Sequence, residues 1–564
     1  MRNGFVKGGL LLLSLATAVF RLAAVERAGA FEDSIAAAPA VDIDSLRNMV
    51  RFLSVDPATS SLRTRFTFRE EPLALVADSL AARLERYIGA PAAFLPFDIE
   101  GGAYAPDSIF STSNIAVRLE GDGSVEGAFY VTAHYDAIAT HDEGWIENWS
   151  THPAPGANDN ATGVAALLEI ARVLSERVLP FDVVFVLFSA EELGLLGSED
   201  YVERMTSDQK EEVLGLLNLD MIGYVDDGAD PGVLIVSNIS SGWLADLAVA
   251  SFGRYDPTLG AVLLKPGLTI FDHTSFWNAG MNGISFAEPF DDDNRVIYPC
   301  YHSAADTIGN IDFDQVGRIA SATAGLIEDL ADAPAEAALI PSDVLFYWWG
   351  GVTAGRSFET GDTLVVRFRP RNLGAVAAPE GAVIGLEVEL ENMHGTELLY
   401  TGSFPPPSPY RAVSIDVPIL LGDRHAGENV IHASIEVNGM DDDTSDNEIR
   451  ESFAVEGGVE ILLDHHVQPN PIRSSFAEAL FCVNLAAEAD LKIEIFDLEG
   501  ELLGRTFLGS RSGVPLDAGF SCFTCGDILP GVGPLASGVY LYRIVLYGET
   551  GSARSSTGRF AVEK

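Results

Sequence analysis

Between residues 42 and 330 the apolar positions change their period repeatedly. They recur at helical spacing over 72–88 and 163–174, and gather into short strand-like runs over 128–133 and 183–188. Strands alternating with helices predict an α/β architecture, a mainly parallel central sheet flanked by helices. The stretch Phe181-Asp-Val-Val-Phe-Val-Leu-Phe188 is nearly unbroken in its apolar character, which predicts a central strand buried on both faces. Ligand sites in such sheets lie beyond the carboxyl ends of the strands, so chemistry is expected just after these runs.

An Ala/Pro stretch over 331–341 ends this pattern. Beyond it the chain reads as short alternating strands separated by Gly, Pro and Asn turns, an all-β region that divides near Gly457-Gly458. The expected layout is a leader over 1–30, a catalytic domain over 31–335, and two β-sandwich modules over 341–456 and 459–564.

The N-terminus has Arg2 and Lys7, an apolar run over 8–20, and small residues ending at Ala28-Gly29-Ala30. This is the pattern of a cleaved secretory signal, and the run is short of the roughly 20 residues a membrane span needs. A secreted protein, extracellular or at the cell surface, is expected, with no membrane span once the signal is removed. Its cysteines are few: Cys300, Cys482, Cys522 and Cys525. Cys522-Phe-Thr-Cys525 has zinc-knuckle spacing but no second close pair, so one disulfide among the last three cysteines is expected, with Cys300 left single.

Composition removes one class of partner. Asp and Glu number 82 against 35 Lys and Arg, a net charge of −47, which leaves no broad basic face for nucleic acid or an anionic membrane. Only five of the cations are Lys; adaptation to high salt and a biased genome composition both produce such a surface. The acidic tract Asp441-Asp-Asp-Thr-Ser-Asp446 reads as a solvated loop rather than a calcium site.

Five short stretches place metal-binding side chains where strands should end. Tyr130-Val-Thr-Ala-His134-Tyr-Asp136 delivers a histidine and, two residues on, a carboxylate able to orient its ring. Gly156-Ala-Asn-Asp159-Asn-Ala-Thr-Gly163 is a Gly-bounded loop running into a helix, with a carboxylate placed to bridge two cations. Phe188-Ser-Ala-Glu191-Glu192-Leu-Gly194 sets two adjacent acids after the buried strand, where they require cations or protons nearby. Leu217-Asn-Leu-Asp220-Met-Ile-Gly223 and Cys300-Tyr301-His302-Ser-Ala-Ala-Asp306-Thr307 complete the set. Two histidines and three or four carboxylates without sulfur suit zinc before cobalt or manganese. An odd number of carboxylates suggests one shared between two ions roughly 3.5–4 Å apart, as in hydrolytic two-metal sites.

The order His134-x-Asp136, Asn158-Asp159-Asn160, Glu191-Glu192, Asn218-Leu-Asp220 and Tyr301-His302 resembles the secreted two-zinc aminopeptidase family. Glutaminyl cyclases and the inactive peptidase fold of the transferrin receptor belong to the same family. The resemblance covers residues 42–330, and Phe271-Asp272-His273-Thr-Ser-Phe-Trp-Asn-Ala-Gly280 is similar to a stretch preceding that family's last ligand. It implies two zinc ions, one bound by His134 and Asp220, the other by Glu192 and His302, with Asp159 bridging. It further implies Glu191 as general base, Tyr301 as hydrogen-bond donor to the oxyanion, and peptide or protein N-termini as substrate. A carboxypeptidase, dipeptidase or glutaminyl cyclase of the same fold, or an inactive binding protein, are the alternatives, and the complete ligand set argues against the last two.

Asp272 and His273 have no metal role in that pattern and read as a structural or supporting pair. His141 and His152 fall in an insertion over 137–155, expected to be a rim loop near the substrate entrance. Asp291-Asp-Asp-Asn294 reads as a second such loop; whether either binds a substrate amine or is merely solvated stays open. The tail resembles adhesion-like (CARDB) modules at Asn372-Leu-Gly374 and Ser445-Asp-Asn447. At Pro469-Asn-Pro471, Ile495-Phe-Asp-Leu498 and 534–542 it resembles Ig-like modules of the hook-capping and type IX sorting kind. A cell-surface tether or an address for secretion machinery is implied, with a plain stabilising spacer as the alternative.

Overall fold

Helix α1 (Ile43–Ser54) starts where the Asp42 side chain accepts the amides of Asp44 and Ser45, and it buries Leu46, Met49, Val50 and Leu53 along one face. In this computed structural model the described residues of the N-terminal region are 37–55, 61–226, 228–265, 267–291 and 294–333. Beyond them it describes 337–338, 344–348, 351–352, 357–359, 362–379, 381–392, 395–422, 425, 427–437, 447–456, 462–468, 470–473, 475–485, 490–497, 502–508, 519–529, 532, 535–547 and 553–562. The leader over 1–30, the Gly457-Gly458 junction and the tract Asp441-Asp-Asp-Thr-Ser-Asp446 lie outside the described residues.

The chain divides into two compact units. The first comprises residues up to Glu336 together with Asn372–Ala378 and Pro407–Arg411. Its core is an eight-stranded sheet: β1 (Ala93–Glu100), β2 (Ile109–Leu119), β3 (Ala128–His134), β4 (Asp182–Phe188), β5 (Val213–Leu219), β6 (Gly232–Ser237), β7 (Gly260–Leu264) and β8 (Gly283–Ala287), in the order β1-β2-β4-β3-β5-β8-β6-β7. The central pairings β4–β3, β3–β5 and β5–β8 are parallel, as is β6–β7, whereas β1–β2, β2–β4 and β8–β6 are antiparallel. Every residue of β3 and β5 is buried, the two-sided burial that the apolar runs demand.

Alternate residues serve opposite faces of this sheet. Ala128, Tyr130, Val184, Val186 and Phe188 share a cluster with Val202 and Phe276, from helices α4 (Leu196–Arg204) and α6 (His273–Asn278). A second layer is built from α1, α3 (Gly163–Leu174), α5 (Gly242–Tyr255) and α7 (Phe313–Asp332), which pack on one another. Helix α2 (Glu70–Ile88) lies against β2 and α3. The tight approach of α3 to β5 explains Gly163: a Cβ there would sit 2.4 Å from the Leu219 carbonyl.

The described residues of the second unit are strands and turns apart from two short helical segments, Phe476–Glu478 and Cys525–Ile528. Its described strands form two larger sheets, with Thr363–Phe368 central in one and Ile384–Asn392 and Gly427–Val437 central in the other. Two further sheets contain Leu480–Leu485 and Asp490–Phe496 and share a core of Phe481, Ile493, Tyr542 and Phe560. Cys482 and Cys522 face each other across neighbouring strands and are disulfide-bonded, while Cys525 is buried and free and Cys300 is also free. Among the described residues no helix is long and apolar enough to cross a membrane.

Candidate metal centre

Parallel pairing brings the carboxyl ends of three strands to one edge. His134 closes β3 opposite Phe188 of β4, the 3-10 turn Glu191–Leu193 follows β4, and Asp220 follows β5. Asp159 comes from the turn Ala157–Thr162 that leads into α3, and Tyr301 and His302 from the loop after β8. The eight site residues proposed from sequence therefore converge at the edge where the topology places a site.

Asp159 lies at the centre. Its Oδ1 is 3.2 Å from His134 Nε2 and its Oδ2 is 3.3 Å from His302 Nε2. His134 Nε2 is also 3.3 Å from Asp220 Oδ1 and 3.9 Å from Glu191 Oε2, and His302 Nε2 is 2.7 Å from Glu192 Oε2. Two overlapping groups result, His134 with Glu191 and Asp220, and His134 with Asp159 and Glu192, each with ligand atoms within 4.8 Å of one another.

Asp136 acts on both sides of this centre. One oxygen is 3.5 Å from His134 Nδ1 and accepts the Glu191 amide, and the other accepts the Glu192 amide and the Thr67 hydroxyl. It thus lies beside the His134 ring and ties the two glutamates to the segment after β3. The asparagines flanking Asp159 link it to Asp220: Asn158 Oδ1 accepts the Gly223 amide, and Asn160 donates to the Leu219 carbonyl and accepts the Met221 amide.

Two supporting residues, Glu288 and Arg65, escaped the sequence reading, and a third, Asp306, stood in the fifth stretch without an assigned role. Asp306 accepts the amides of Asn158 and Asp159 and the Tyr298 hydroxyl. Glu288 accepts Asn158 Nδ2 and the Tyr224 amide; an acid directly after an apolar strand was a readable signal, the same one that marks Asp220. Arg65 is fully buried and donates to the carbonyls of Leu53, Tyr135, Pro155 and Gly156. Nothing in the sequence distinguishes it from a surface arginine.

Removal from water and mutual repulsion make these carboxyls reluctant to ionise. Burial pushes Glu192 up to about 7 and, with Asp220 and Glu192 adding repulsion, holds Glu191 well above its ordinary range. Burial likewise raises Asp306 to about 6 and Asp272 to about 7. Against the lowering effect of burial, Glu192 and Asp159 raise His302 to about 10, and Asp220 and Glu191 hold His134 well above its usual value. Asp159, facing both imidazoles, is held low despite its burial. Glu192 Oε1 is buried without a hydrogen-bond partner. A buried set of imidazoles and carboxylates crowded around shared points, with an unsatisfied oxygen, fits divalent cations of the zinc class.

These directions fix a pH dependence for the metal-free protein. Groups whose folded pKa is raised stabilise the fold below their unfolded pKa and lose that contribution as pH climbs through the folded value. Glu192 gives a window from about 4.5 to 7 and His302 one from about 6.5 to 10. Guanidinium denaturation of chelator-treated protein should show a midpoint that falls from pH 5 to pH 9, as the unfolding free energy drops by about a few kcal/mol in total. A midpoint rising over that range would contradict the arrangement.

Of the remaining expectations, Asp272 is buried at the head of α6, and His273 Nε2 lies 3.1 Å from the Leu268 carbonyl, with burial lowering the imidazole to about 3. The Tyr301 ring stacks on His302 with centroids 3.7 Å apart, and burial raises its phenol, which stays protonated as a donor. His141 contacts the Tyr301–His302 turn, and His152 is 2.7 Å from Asp142. In the loop Asp291-Asp-Asp-Asn294, Asp292 and Asp293 lie outside the described residues.

The chain is similar in sequence to known proteins over this region. The sequence profile of Peptidase family M28 matches residues 114–327. Aminopeptidase YwaD of Bacillus subtilis (strain 168) is 32% identical over 186 residues, 32% of this chain and 36% of that protein. Leucine aminopeptidase 1 of Ajellomyces capsulatus (strain G186AR) is 33% identical over 222 residues, 37% of this chain and 54% of that one. A solved structure of a zinc aminopeptidase from Bacillus subtilis aligns with 52% of this chain and 95% of its own, at 16% identity and a TM-score of 0.43. The chain thus spans between a third and about half of the length of these two curated relatives. Residues 114–327, the stretch that matches the profile of Peptidase family M28, carry the whole His/carboxylate cluster.

Proposed function

We propose that the protein is a zinc aminopeptidase that removes residues from the free N-termini of peptides. The observation that carries this reading is Asp159, whose two carboxylate oxygens face the imidazoles of His134 and His302. Two relatives, an aminopeptidase and a leucine aminopeptidase, support the substrate class. His134 and Asp220 would hold one zinc, Glu192 and His302 the other, with Asp159 between them.

Zinc bound there supplies a Lewis acid for the scissile carbonyl and lowers the pKa of water. Glu191 accepts a proton from the attacking water as its oxygen bonds to the carbonyl carbon, then returns it to the amine as the C–N bond breaks. Tyr301 donates its hydroxyl hydrogen bond to the developing oxyanion. Asp136 holds His134 and the Glu191–Glu192 turn in register throughout.

The charged and apolar leader pattern over 1–30 supports export, and the Cys482–Cys522 disulfide is at home in an oxidising compartment. The β-rich unit would then tether the enzyme at the cell exterior. Mass spectrometry of a peptide pool with free and acetylated N-termini, incubated with the mature protein and zinc, tests the activity. Stepwise loss from free N-termini alone is expected. Loss from C-termini, cleavage confined to dipeptides, or ammonia release from N-terminal Gln would replace the reading with another reaction.

A further inference from the structure

The insertion over 137–155 does more than border the site. His302 adopts φ +52°, a left-handed backbone that a residue with a Cβ holds only when its surroundings enforce it. Three consecutive insertion residues grip this turn. Thr140 Oγ1 lies 3.2 Å from His302 Nδ1. The His141 amide donates to the His302 carbonyl at 2.9 Å, and His141 Nδ1 lies 3.0 Å from the Tyr301 carbonyl. A carbonyl only accepts, so that nitrogen carries the hydrogen. Asp142 Oδ2 accepts the Ala304 amide at 2.8 Å and is 2.7 Å from His152 Nε2, which returns the grip to the far end of the insertion.

The insertion is itself anchored. Trp145 is buried and packs edge-on against His152 and Phe66, and Trp149 meets Phe66, Phe68 and Phe110. This small aromatic core gives the loop a fixed seat beside β3. The Tyr301–His302 turn is thereby held from outside by a segment that contributes no ligand.

We propose that the insertion is the positioning element for the His302 metal ligand: Thr140 fixes the imidazole tautomer, and His141 with Asp142 maintains the turn. With Nδ1–H directed to the Thr140 hydroxyl, Nε2 presents its lone pair toward Glu192 and Asp159, the form a metal requires. His141 acts on the Tyr301 carbonyl in the same way, so the oxyanion donor and the ligand are set together. The proposal rests on the two-zinc reading given above.

Thr140 is exposed, so Thr140→Val removes the hydroxyl without disturbing a core. Stepwise zinc titration of the full chain against a chromophoric chelator reads the two sites separately, with His302→Ala marking which equivalent His302 holds. Thr140→Val is expected to weaken that equivalent about 10–100-fold and leave the other within about twofold, and Thr140→Ser to restore wild-type affinity. Unchanged affinities in Thr140→Val, or equal weakening of both equivalents with a lowered melting temperature, would overturn the proposal while leaving the two-zinc reading intact. Fewer than two zinc ions on the wild-type protein would remove that reading and the proposal with it.

Discussion

Glu191→Gln is expected to keep its full zinc content and to lose about 10²–10⁴-fold in kcat, the usual worth of a positioned general base. The argument turns on distance. Glu191 Oε2 stands 3.9 Å from His134 Nε2, farther than the 3.2 and 3.3 Å of Asp159 and Asp220 from the same nitrogen. That offset leaves Glu191 facing the cluster without closing on it. Its backbone amide is tied to Asp136, so the turn that carries it should hold when the side-chain charge is removed. Glutamine keeps the shape and the hydrogen-bonding capacity but not the basicity. Elemental analysis beside steady-state kinetics decides the matter. Zinc lost in proportion to activity would make Glu191 a ligand, a role its grouping with His134 and Asp220 leaves geometrically open.

Much of this centre was legible because several of the proposed residues are polar exceptions at the end of an apolar run. His134 after Tyr130-Val-Thr-Ala, Asp220 after Leu217-Asn-Leu and the glutamates after Phe181–Phe188 have no business in a buried sheet unless something binds them. Strands β3 and β4 were readable for the same reason, since continuous burial leaves a continuous apolar signature. Strand direction was not. The antiparallel pairs β1–β2, β2–β4 and β8–β6 bury side chains much as parallel ones do, and composition records burial rather than polarity of the chain. The supporting residues were hidden by sequence distance. Arg65 meets Gly156 across 91 positions, and Asp142 meets Ala304 across 162. Tyr410 is packed in the first unit against Phe129 and Phe181, from within the stretch of sequence that reads as the all-β region.

The same centre makes Asp159→Asn the substitution with the widest consequences. Asn preserves the volume and the amide contacts to Asp306, so the turn into α3 should still form. What changes is charge at a side chain whose two oxygens face the two histidines. In the metal-free protein that carboxylate is the buried counter-ion of two imidazoles whose pKa values are raised, and breaking a buried pair from one side costs about 3–5 kcal/mol. Chemical denaturation after chelation should show a loss of that order below the range in which His302 deprotonates, shrinking as pH rises toward 10. With zinc, the neutral amide offers one weak oxygen where a shared anion stood, and the two ions would repel with less between them. Zinc content should fall from two per chain to one or none, and turnover should fall below that of Glu191→Gln. A variant that still holds two ions would show that Asp159 is not the bridge. The histidines would then have to belong to separate, independently closed sites, an arrangement their shared approach to one carboxylate does not favour.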